Sequence, residues 1–476
     1  MGKRQSENRP EDGHMGSLQT ASNTGRSSAK PLSRRGFLTR TVVGTIGGIG
    51  SVGVLGAGDF GGQTAQAANL SLDTANNIKP DDEAFWREVA GMYDVTDQIT
   101  NLENGYWGIM ARPVLEEYQR QSAWVNKNNT FFARFDLGET YRNLRAKAAE
   151  FLNVGVDEIA LTRGATEALQ ALIGGYNRLN AGDTVLYADL DYSEMKNAMR
   201  WLAHRRGVNV VKVNFPEPTK ERPLSEDDII RFYKKALDDN PKTKLLLLTH
   251  LNNWTGLIIP VRTIADMAKA RGVGVILDAA HSVGQVDFDI KSLGCDFVGV
   301  NLHKWVGAPI GCGVIYINKS KVRDIDPYMG KNMNPDGTGG DNVRDRIDTG
   351  TSNFAAHMTI PAAIDFHGYL GSSAKEARLR YLRSIWVSEA RKMKDLLVLT
   401  PDDPAMVAGL TSFRLKGVTT TKANNALMKR LADEFGVLTT RRTGPAMGDC
   451  IRVTPSFYNT PDDMHKLVKA LRAITA

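Results

Sequence analysis

The sequence predicts an α/β protein in which helices cover both faces of a mostly parallel sheet, with a smaller α/β domain at the C-terminus. From residue 158 onwards, short apolar segments alternate with longer helix-like segments. Segments such as 244–251 and 274–278 are almost continuously apolar, which is typical of parallel strands buried on both faces. The chain has 476 residues, of which 42% are hydrophobic and 24% charged, and this is ample for a large core without disulfide bonds.

The predicted elements alternate along the chain in a β-α order. We predict strands at 159–162, 184–187, 208–213, 244–251, 274–278, 297–301 and 313–317. We predict helices at 166–178, 192–206, 224–239 and 261–271, then loops over 320–355, a long charged helix at 373–397 and a final helix at 462–474. Ligands bind beside the carboxyl ends of strands in such sheets, so polar residues that directly follow a strand are the first candidates for a site.

The first 67 residues have the order of an export signal. A polar segment at 1–32 is followed by Arg34 and Arg35, and then by an apolar stretch at 41–58 that contains seven glycines. Ala65-Gln66-Ala67 supplies small residues at the positions that a signal peptidase reads. The paired arginines and the weakly apolar stretch resemble a twin-arginine (Tat) signal. This resemblance implies export by the Tat translocase to the periplasm or the outside of the cell.

An uncleaved membrane anchor is the alternative to a signal that is removed. After cleavage no stable membrane span would remain, and translation begins at either Met1 or Met15. The predicted organisation is a disordered N-terminus with the signal at 1–67, an N-terminal segment at 68–100, a large domain at 101–355 and a small domain at 356–476.

Charge and cysteine content exclude several classes of protein. The formal net charge is +7, and the first 67 residues hold 8 Lys or Arg against 4 Asp or Glu, so most of the basic excess lies there. The rest of the chain has no basic stripe and no nucleic-acid-binding motif, so we exclude nucleic acid as a partner. Cys295, Cys312 and Cys450 form no closely spaced pair, which argues against a disulfide scaffold and a cysteine zinc site. We predict no metal site.

Two residues that follow predicted strands could bind a carbonyl cofactor. Lys304 comes after the strand at 297–301, where burial and a neighbouring cation would lower its pKa and make its amine nucleophilic enough for a Schiff base. Asp278 ends the strand at 274–278, and a buried carboxylate needs a cationic partner such as a protonated pyridine nitrogen. Lys304 alone could be an ordinary surface lysine, but the pair fits pyridoxal 5′-phosphate (PLP), whose protonated ring is an electron sink.

A third segment is suited to a phosphate group. Residues 162–168 (TRGATEA) lie between a predicted strand and a helix. The glycine allows a tight turn there, the helix N-terminus offers free N–H groups, and Thr166 could add its hydroxyl. The alternative on local evidence is a helix cap without a ligand.

Together these segments resemble the class V aminotransferase family of PLP enzymes, which have fold type I, over about residues 101–476. The most specific stretches are 278–282 (DAAHS), 303–307 (HKWVG) and 311–313 (GCG). Within the family, the chain is most similar to isopenicillin-N-epimerase-like and cysteine-desulfurase-like proteins. This group has secreted members with Tat signals, among them enzymes of pyoverdine siderophore maturation.

The resemblance implies roles for individual residues. Lys304 matches the Schiff-base lysine, and Asp278 matches the partner of the pyridine nitrogen. The other cofactor positions match contacts to the ring face (Tyr192), the ring hydroxyl (His281 and Asn253) and the phosphate (Ala165, Thr166, Asn301 and His303). Asn252 is an alternative to Asn253. Thr351 matches a phosphate ligand that the partner subunit donates, so the resemblance also implies a homodimer.

The resemblance places the substrate on the C-terminal side of the site. Arg452 matches the arginine whose planar fork clamps the substrate carboxylate. Arg442 is a weaker match on the same wall, and Asn104 matches part of the substrate loop. Desulfurases carry a nucleophilic cysteine where this chain has Met447. Methionine cannot form a persulfide, so a desulfurase is disfavoured.

The implied function is an exported PLP enzyme that acts at the α-amino group or α-carbon of an amino-acid-like or peptide-linked substrate. Lys304 would take the α-proton, and both transamination and epimerisation include that step. One alternative is a PLP-dependent lyase or desulfurase, which Met447 disfavours. The other is a membrane-anchored PLP-fold binding protein without catalysis, which would be expected to lose Lys304 or Asp278.

Overall fold

The structure is a computed structural model that describes residues 78–335, 340–348, 350–443 and 445–476. The predicted tail and export signal at 1–67 lie outside the described residues, all of which belong to one compact unit. The strands are β1 Thr100–Asn101, β2 Ile159–Thr162, β3 Thr184–Ala188, β4 Asn209–Val213, β5 Thr243–Thr249, β6 Gly274–Asp278, β7 Phe297–Asn301, β8 Gly313–Ile317, β9 Leu396–Val398, β10 Thr411–Leu415, β11 Val437–Leu438, β12 Thr440–Arg442 and β13 Cys450–Val453.

Helices flank these strands along the described part of the chain. They are α1 Glu83–Ala90, α2 Arg112–Phe135, α3 Leu137–Phe151, α4 Ala165–Gly175, α5 Ser193–Arg206, α6 Glu226–Asp239, α7 Val261–Lys269, α8 Phe354–Met358, α9 Ile360–Leu370, α10 Ser372–Ala390, α11 Thr421–Phe435 and α12 Pro461–Thr475. In the described ranges, no helix combines the length and the apolar character that crossing a membrane requires.

A seven-stranded sheet forms the centre of the fold, in the order β2-β8-β7-β6-β5-β3-β4. Its strands run parallel except β8, which is antiparallel to both β2 and β7. The predicted mostly parallel sheet is therefore confirmed. Thr249 at the end of β5 lies in register with Asp278 at the end of β6, and Asp278 in turn lies beside Gly299 in β7. The carboxyl ends of these strands thus meet at one edge.

Burial of the sheet on both faces explains the continuous apolar segments. Leu246 and Leu248 of β5 belong to the core that includes side chains of α3, α6 and α7. Leu245 and Leu247, which point to the opposite face, belong to the core that includes side chains of α4 and α5. Each fully buried leucine contributes roughly 2 kcal/mol, so neither face of β5 can be polar without a large loss of stability.

A second sheet lies in the C-terminal part, where β12, β13, β10 and β9 are antiparallel neighbours in that order. Side chains of α10, α11 and α12 share its core. β1 pairs in parallel with β11, with Thr100 opposite Val437, and the fully buried Leu102 joins the same core. These contacts fix the start of the 103–108 loop, which reaches the site. The predicted domain boundaries remain predictions.

Three predicted elements differ from those in the structure. The helix predicted at 373–397 ends at Ala390, and β9 follows because Leu396 and Val398 are buried in the second sheet. The helix predicted at 166–178 ends at Gly175, which has low helix propensity and where a Cβ would lie 2.8 Å from Ile325 Cγ2. The loops predicted over 320–355 include short 3₁₀ turns, and α8 begins at Phe354.

Candidate active site

A cavity of about 1120 Å³ opens at the carboxyl ends of β2, β5, β6 and β7. It brings together ten of the residues predicted for the site: Ala165, Thr166, Tyr192, Asn253, Asp278, His281, Asn301, His303, Lys304 and Arg442. Parallel strands place their following residues at one edge, so most of this set was accessible to sequence reasoning.

Lys304 is the amine at the centre of the cavity. Its Nζ lies 3.0 Å from His281 Nε2, and Trp305 Nε1 donates to His281 Nδ1 at 3.4 Å. Because Nδ1 accepts, the imidazole proton is on Nε2, and His281 donates to an unprotonated Lys304. Burial, then the positive charge of Arg452, lowers the pKa of Lys304 to about 7. A large fraction of this amine is therefore neutral and nucleophilic near pH 7.

The 103–108 loop packs directly on the lysine segment. Gly108 N donates to the His303 carbonyl at 2.9 Å, and a Cβ on Gly108 would collide with the Lys304 carbonyl oxygen. Any larger residue at position 108 would therefore displace the segment that carries the amine. Sequence reasoning missed this glycine, because nothing in the local sequence shows which backbone it will approach.

Asp278 is a buried carboxylate at the end of β6. Its Oδ1 accepts from Ala280 N at 2.9 Å, and within the described residues it forms no salt bridge. Burial raises the pKa of Asp278, while the Ala280 N–H and the positive charge of Lys304 oppose that effect. A cationic donor in the cavity would remove the cost of holding this carboxylate ionised.

A second buried carboxylate, Asp191, forms hydrogen bonds at this edge of the sheet. The sequence analysis did not assign it a role. Thr249 Oγ1 donates to Asp191 Oδ1 at 2.7 Å, and Ala188 N donates to Oδ2 at 2.7 Å. Burial raises the pKa of Asp191 to about 7. Thr249, which lines the cavity beside Asp278, is thereby held in place by a residue 58 positions away.

The N-terminus of α4 lies where the sequence predicted that a phosphate group would bind. Ala165 N donates to Asn301 Oδ1 at 2.7 Å, so Asn301 holds the turn itself. Helix geometry leaves the N–H groups of Thr166 and Glu167 without an intrahelical acceptor. A Cβ on Gly164 would lie 3.0 Å from Asn301 Oδ1 and 3.1 Å from the His303 ring, so the turn requires glycine.

Two other predicted cofactor contacts also face the cavity. Tyr192, at the start of α5, is half-buried and lines the cavity. Asn253 is buried, and its Oδ1 has no hydrogen-bond partner within the described residues. Asn252, the alternative, is engaged elsewhere, because its Oδ1 accepts from Trp254 N at 2.8 Å. Asn253 is therefore the better placed of the two to meet a ring hydroxyl.

Three predicted residues lie away from the cavity lining as the structure describes it. Thr351 is exposed, which leaves its role in a partner subunit as a prediction. Asn104 is buried and does not line the cavity, and its Nδ2 donates to the Thr454 carbonyl at 2.9 Å. Arg452 is fully buried, and its Nη2 lies 2.5 Å from Glu103 Oε1. Their predicted contacts to phosphate and substrate remain predictions.

Comparison with known proteins places this site in a family. The family model for Aminotransferase class-V matches residues 111–467. The chain belongs to the class V aminotransferase family. Isopenicillin N epimerase from Streptomyces clavuligerus is 27% identical over 409 residues, which cover 82% of this chain and 99% of that protein. A cysteine desulfurase from Serratia proteamaculans is 28% identical over 350 residues, which cover 70% and 81%.

Solved structures agree on the fold of this class V protein. The cysteine desulfurase from Thermococcus onnurineus NA1 has a TM-score of 0.69 at 19% identity, over 82% of this chain and 97% of that one. The cystine C-S lyase C-DES, in complex with its reaction product cysteine persulfide, has a TM-score of 0.68 at 22% identity, over 79% and 97%. The protein therefore has the type I fold of PLP-dependent enzymes, as the sequence predicted.

The residues around Lys304 fit PLP, the cofactor that the class V family indicates. Lys304 offers the aldehyde an amine whose pKa is lowered to about 7. Among the described residues, Asp278 has no salt bridge and can meet the ring nitrogen, and Asn253 Oδ1 has no hydrogen-bond partner and can meet the ring hydroxyl. The N-terminus of α4 lines the cavity, and its free N–H groups can bind a phosphate. The chain is thus a PLP-dependent enzyme of the class V fold.

Proposed function

We propose that this chain is an exported PLP enzyme that moves the α-proton of a primary amine, in an epimerisation or a transamination. The observation that carries the proposal is the 3.0 Å contact between Lys304 Nζ and His281 Nε2 beside Asp278. PLP, when bound, withdraws electrons from the α-carbon of the amine and makes its proton acidic.

The residues of the chain supply the rest of the mechanism. Lys304 would hold the cofactor through its amine. Its pKa of about 7 leaves a large fraction of Nζ unprotonated near neutral pH, so Nζ could take the α-proton as a general base. His281, whose own pKa burial lowers, stays neutral and directs Nζ. Asp278 would accept a hydrogen bond from the protonated ring nitrogen. The two reactions differ in where the proton is returned. Epimerisation returns it to the other face of the α-carbon, whereas transamination returns it to a different atom.

The desulfurase alternative has less support, although cysteine desulfurases are among the relatives. The resemblance puts the nucleophilic cysteine where the chain has Met447. All three cysteines are buried, and none is among the described residues that line the cavity. Burial raises the pKa of Cys450 to about 11, which disfavours the nucleophilic thiolate. The isopenicillin N epimerases, at 27% and 26% identity, support a proton-transfer reaction, and the cysteine desulfurases are equally similar in sequence.

Proton exchange in D₂O tests the proposed reaction. Wild-type holoenzyme should exchange the α-proton of its substrate amines for deuterium. The exchange is measured as the loss of the α-proton signal in proton NMR. Lys304→Ala should slow the exchange by about 10³-fold, and Lys469→Ala on the exposed face of α12 should not. An inverted product indicates epimerisation, and a keto product indicates transamination. Sulfide release from cysteine, without exchange in any other amine, would show that the proposal is wrong.

Export is proposed from the sequence at 1–67 alone. A Tat route carries folded cargo, so it would deliver Lys304 with PLP already attached from the cytoplasm. Replacing Arg34 and Arg35 with lysine should retain active precursor in the cell, and the mature chain should begin at Ala68. Normal export of that double variant would refute the Tat assignment.

A further inference from the structure

Trp305, the residue after the reactive lysine, does not line the cavity as the structure describes it. Its side chain is buried in an apolar cluster with Trp86 and Phe457. Its Nε1 donates to His281 Nδ1 at 3.4 Å, and His281 Nε2 lies 3.0 Å from Lys304 Nζ. The indole is therefore connected to the reactive amine through one imidazole ring.

The neutral imidazole of His281 can carry its proton on either ring nitrogen. Burial, together with the positive charge of Lys304, lowers the pKa of His281, so the ring stays neutral. A proton on Nδ1 would face the indole N–H and place two donors against each other. With the proton on Nε2, His281 donates to the lone pair of Lys304 Nζ, which the neutral amine has and the charged amine lacks. The Trp305 N–H therefore selects the tautomer that favours the neutral amine.

A buried lysine holds the backbone of Trp305. Lys375 Nζ, on α10, donates to the Trp305 carbonyl at 3.2 Å and lies 4.4 Å from the centre of the Phe457 ring. It also contacts His367 Nδ1, and burial lowers the pKa of Lys375 well below that of an ordinary lysine. A lysine amine can donate to a carbonyl whether it is charged or neutral. A Cβ on Gly284 would lie 2.8 Å from the Trp305 carbonyl carbon, so close packing also restrains this peptide.

We propose that Trp305 is a positioning residue that keeps Lys304 in its neutral, nucleophilic form through the tautomer of His281, and that Lys375 anchors Trp305 in that position. The inference goes beyond the proposed function, because binding of the cofactor aldehyde precedes any reaction of a substrate amine. It rests on that function only in taking Lys304 as the amine that binds PLP.

The charged and titratable groups around Lys304 and His281 come from several elements and set the background for this effect. They are Asp278 in β6, His303 after β7, Arg442 in β12, Arg452 in β13 and Glu103 in the 103–108 loop. None of them is changed by a substitution of Trp305. A change in the pH dependence of such a variant therefore reports the loss of the indole hydrogen bond.

The rate of PLP capture by the apoprotein at a series of pH values tests the inference, with capture followed by the visible absorption of bound PLP. Trp305→Phe keeps an aromatic ring but removes the N–H, so His281 can offer Nε2 as an acceptor to the charged form of Lys304. We expect the midpoint of the rate profile to rise by about one pH unit, with an unchanged plateau at high pH. Lys375→Met should shift the midpoint in the same direction by a smaller amount.

Two matched controls separate the hydrogen bond from packing. Trp86→Phe alters the same apolar cluster, but its indole donates to the Lys79 carbonyl. Trp386→Phe removes a buried indole N–H that has no hydrogen-bond partner within the described residues. Neither control should move the midpoint. In a His281→Ala background, Trp305→Phe should cause no further shift, because the ring that connects Trp305 to the amine is absent.

NMR of the apoprotein with nitrogen-labelled histidine reports the tautomer directly, with the His281 signals identified by their loss in His281→Ala. We expect a protonated Nε2 in the wild type. A protonated Nδ1 would overturn the inference even if Trp305→Phe does not fold, and so would an unchanged midpoint in folded Trp305→Phe. An unchanged midpoint in Lys375→Met would overturn the anchoring role of Lys375.

Failure of this inference can be distinguished from failure of the proposed function. Capture is measured without a substrate amine, so a protein that shows the expected midpoints but exchanges no α-proton would refute the proposed function and support the role of Trp305. A protein that exchanges the α-proton but has the same midpoint with Trp305→Phe would refute the role of Trp305 and leave the proposed function in place.

Discussion

The two walls of the cavity hold their charges in different ways. On the sheet side, within the part of the chain that the structure describes, Asp278 is buried without a salt bridge and the amide oxygen of Asn253 has no hydrogen-bond partner, so both can bind a ligand. On the C-terminal side, Arg452 forms a buried ion pair with Glu103, and Arg442 lines the cavity without a salt bridge among the described residues. Unpaired buried groups cost stability, so groups of this kind that face the cavity are candidates for contact with a ligand. On the other wall, the pair of Glu103 and Arg452 balances two charges within the protein.

The largest expected effect is on the sheet wall, at the amine itself. Lys304→Ala should lower activity by about 10³-fold or more, because both the covalent attachment and the general base are lost. Borohydride reduction followed by peptide mapping should find the pyridoxyl group on Lys304 in the wild type and none in the variant. Labelling of another lysine in the wild type would contradict the assignment.

Asp278→Asn should have the next largest effect, because it removes one fixed electrostatic partner. We expect kcat/KM to fall by about 10²-fold, while borohydride still attaches the cofactor to Lys304. Asp289→Asn, on a surface turn, is the control. Equal activity of Asp278→Asn and wild type would show that this carboxylate does not partner the ring nitrogen.

Cofactor capture by the apoprotein should depend on pH through Lys304. The neutral amine is the reactive form, and its pKa is lowered to about 7. The rate of PLP capture should therefore rise about tenfold per pH unit below pH 7 and level off above it. Nα-acetyl-lysine in solution is the control, since its rate should keep rising towards pH 10. A capture rate that parallels the free amine would show that the site does not depress this pKa.

Substitutions on the two walls should rank in the opposite order for protein stability and for activity. Glu103→Gln leaves Arg452 buried without its partner, so we expect the free energy of unfolding of the apoprotein to fall by about 2 kcal/mol. Asp278→Asn removes an unpaired buried charge, so its free energy of unfolding should stay within about 1 kcal/mol of wild type or increase. Denaturant titration measures both. Equal destabilisation by the two changes would remove the distinction between the walls.

The smallest expected effect concerns the proposed homodimer. If Thr351 donates to the phosphate of a partner subunit, Thr351→Ala should weaken PLP binding by about tenfold. Ser384→Ala, on the exposed face of α10, is the control. An active monomer in sedimentation, or unchanged PLP affinity in Thr351→Ala, would contradict the proposal.

The sequence was most informative where function depends on the local order of elements. Asp278 and Lys304 each follow an apolar strand, and Thr166 opens a helix, so the sequence predicted that they share one sheet edge. Helices α2 and α3 were not predicted. The long helix predicted at 373–397 was wrong at its C-terminal end, because burial in the second sheet decided the conformation of 396–398.

The sequence by itself determined the α/β fold, the Lys304 and Asp278 pair and the helix N-terminus at Thr166. Each of these depends on periodicity or on a residue's place just after a strand, and both are local properties. Only the tertiary structure decided that Glu103 pairs with Arg452, because the two residues are 349 positions apart. The same holds for Gly105 and Gly108, whose need for glycine comes from the chain they approach. The cofactor side of the site is thus encoded locally, whereas the structure assembles the C-terminal wall of the cavity from distant segments.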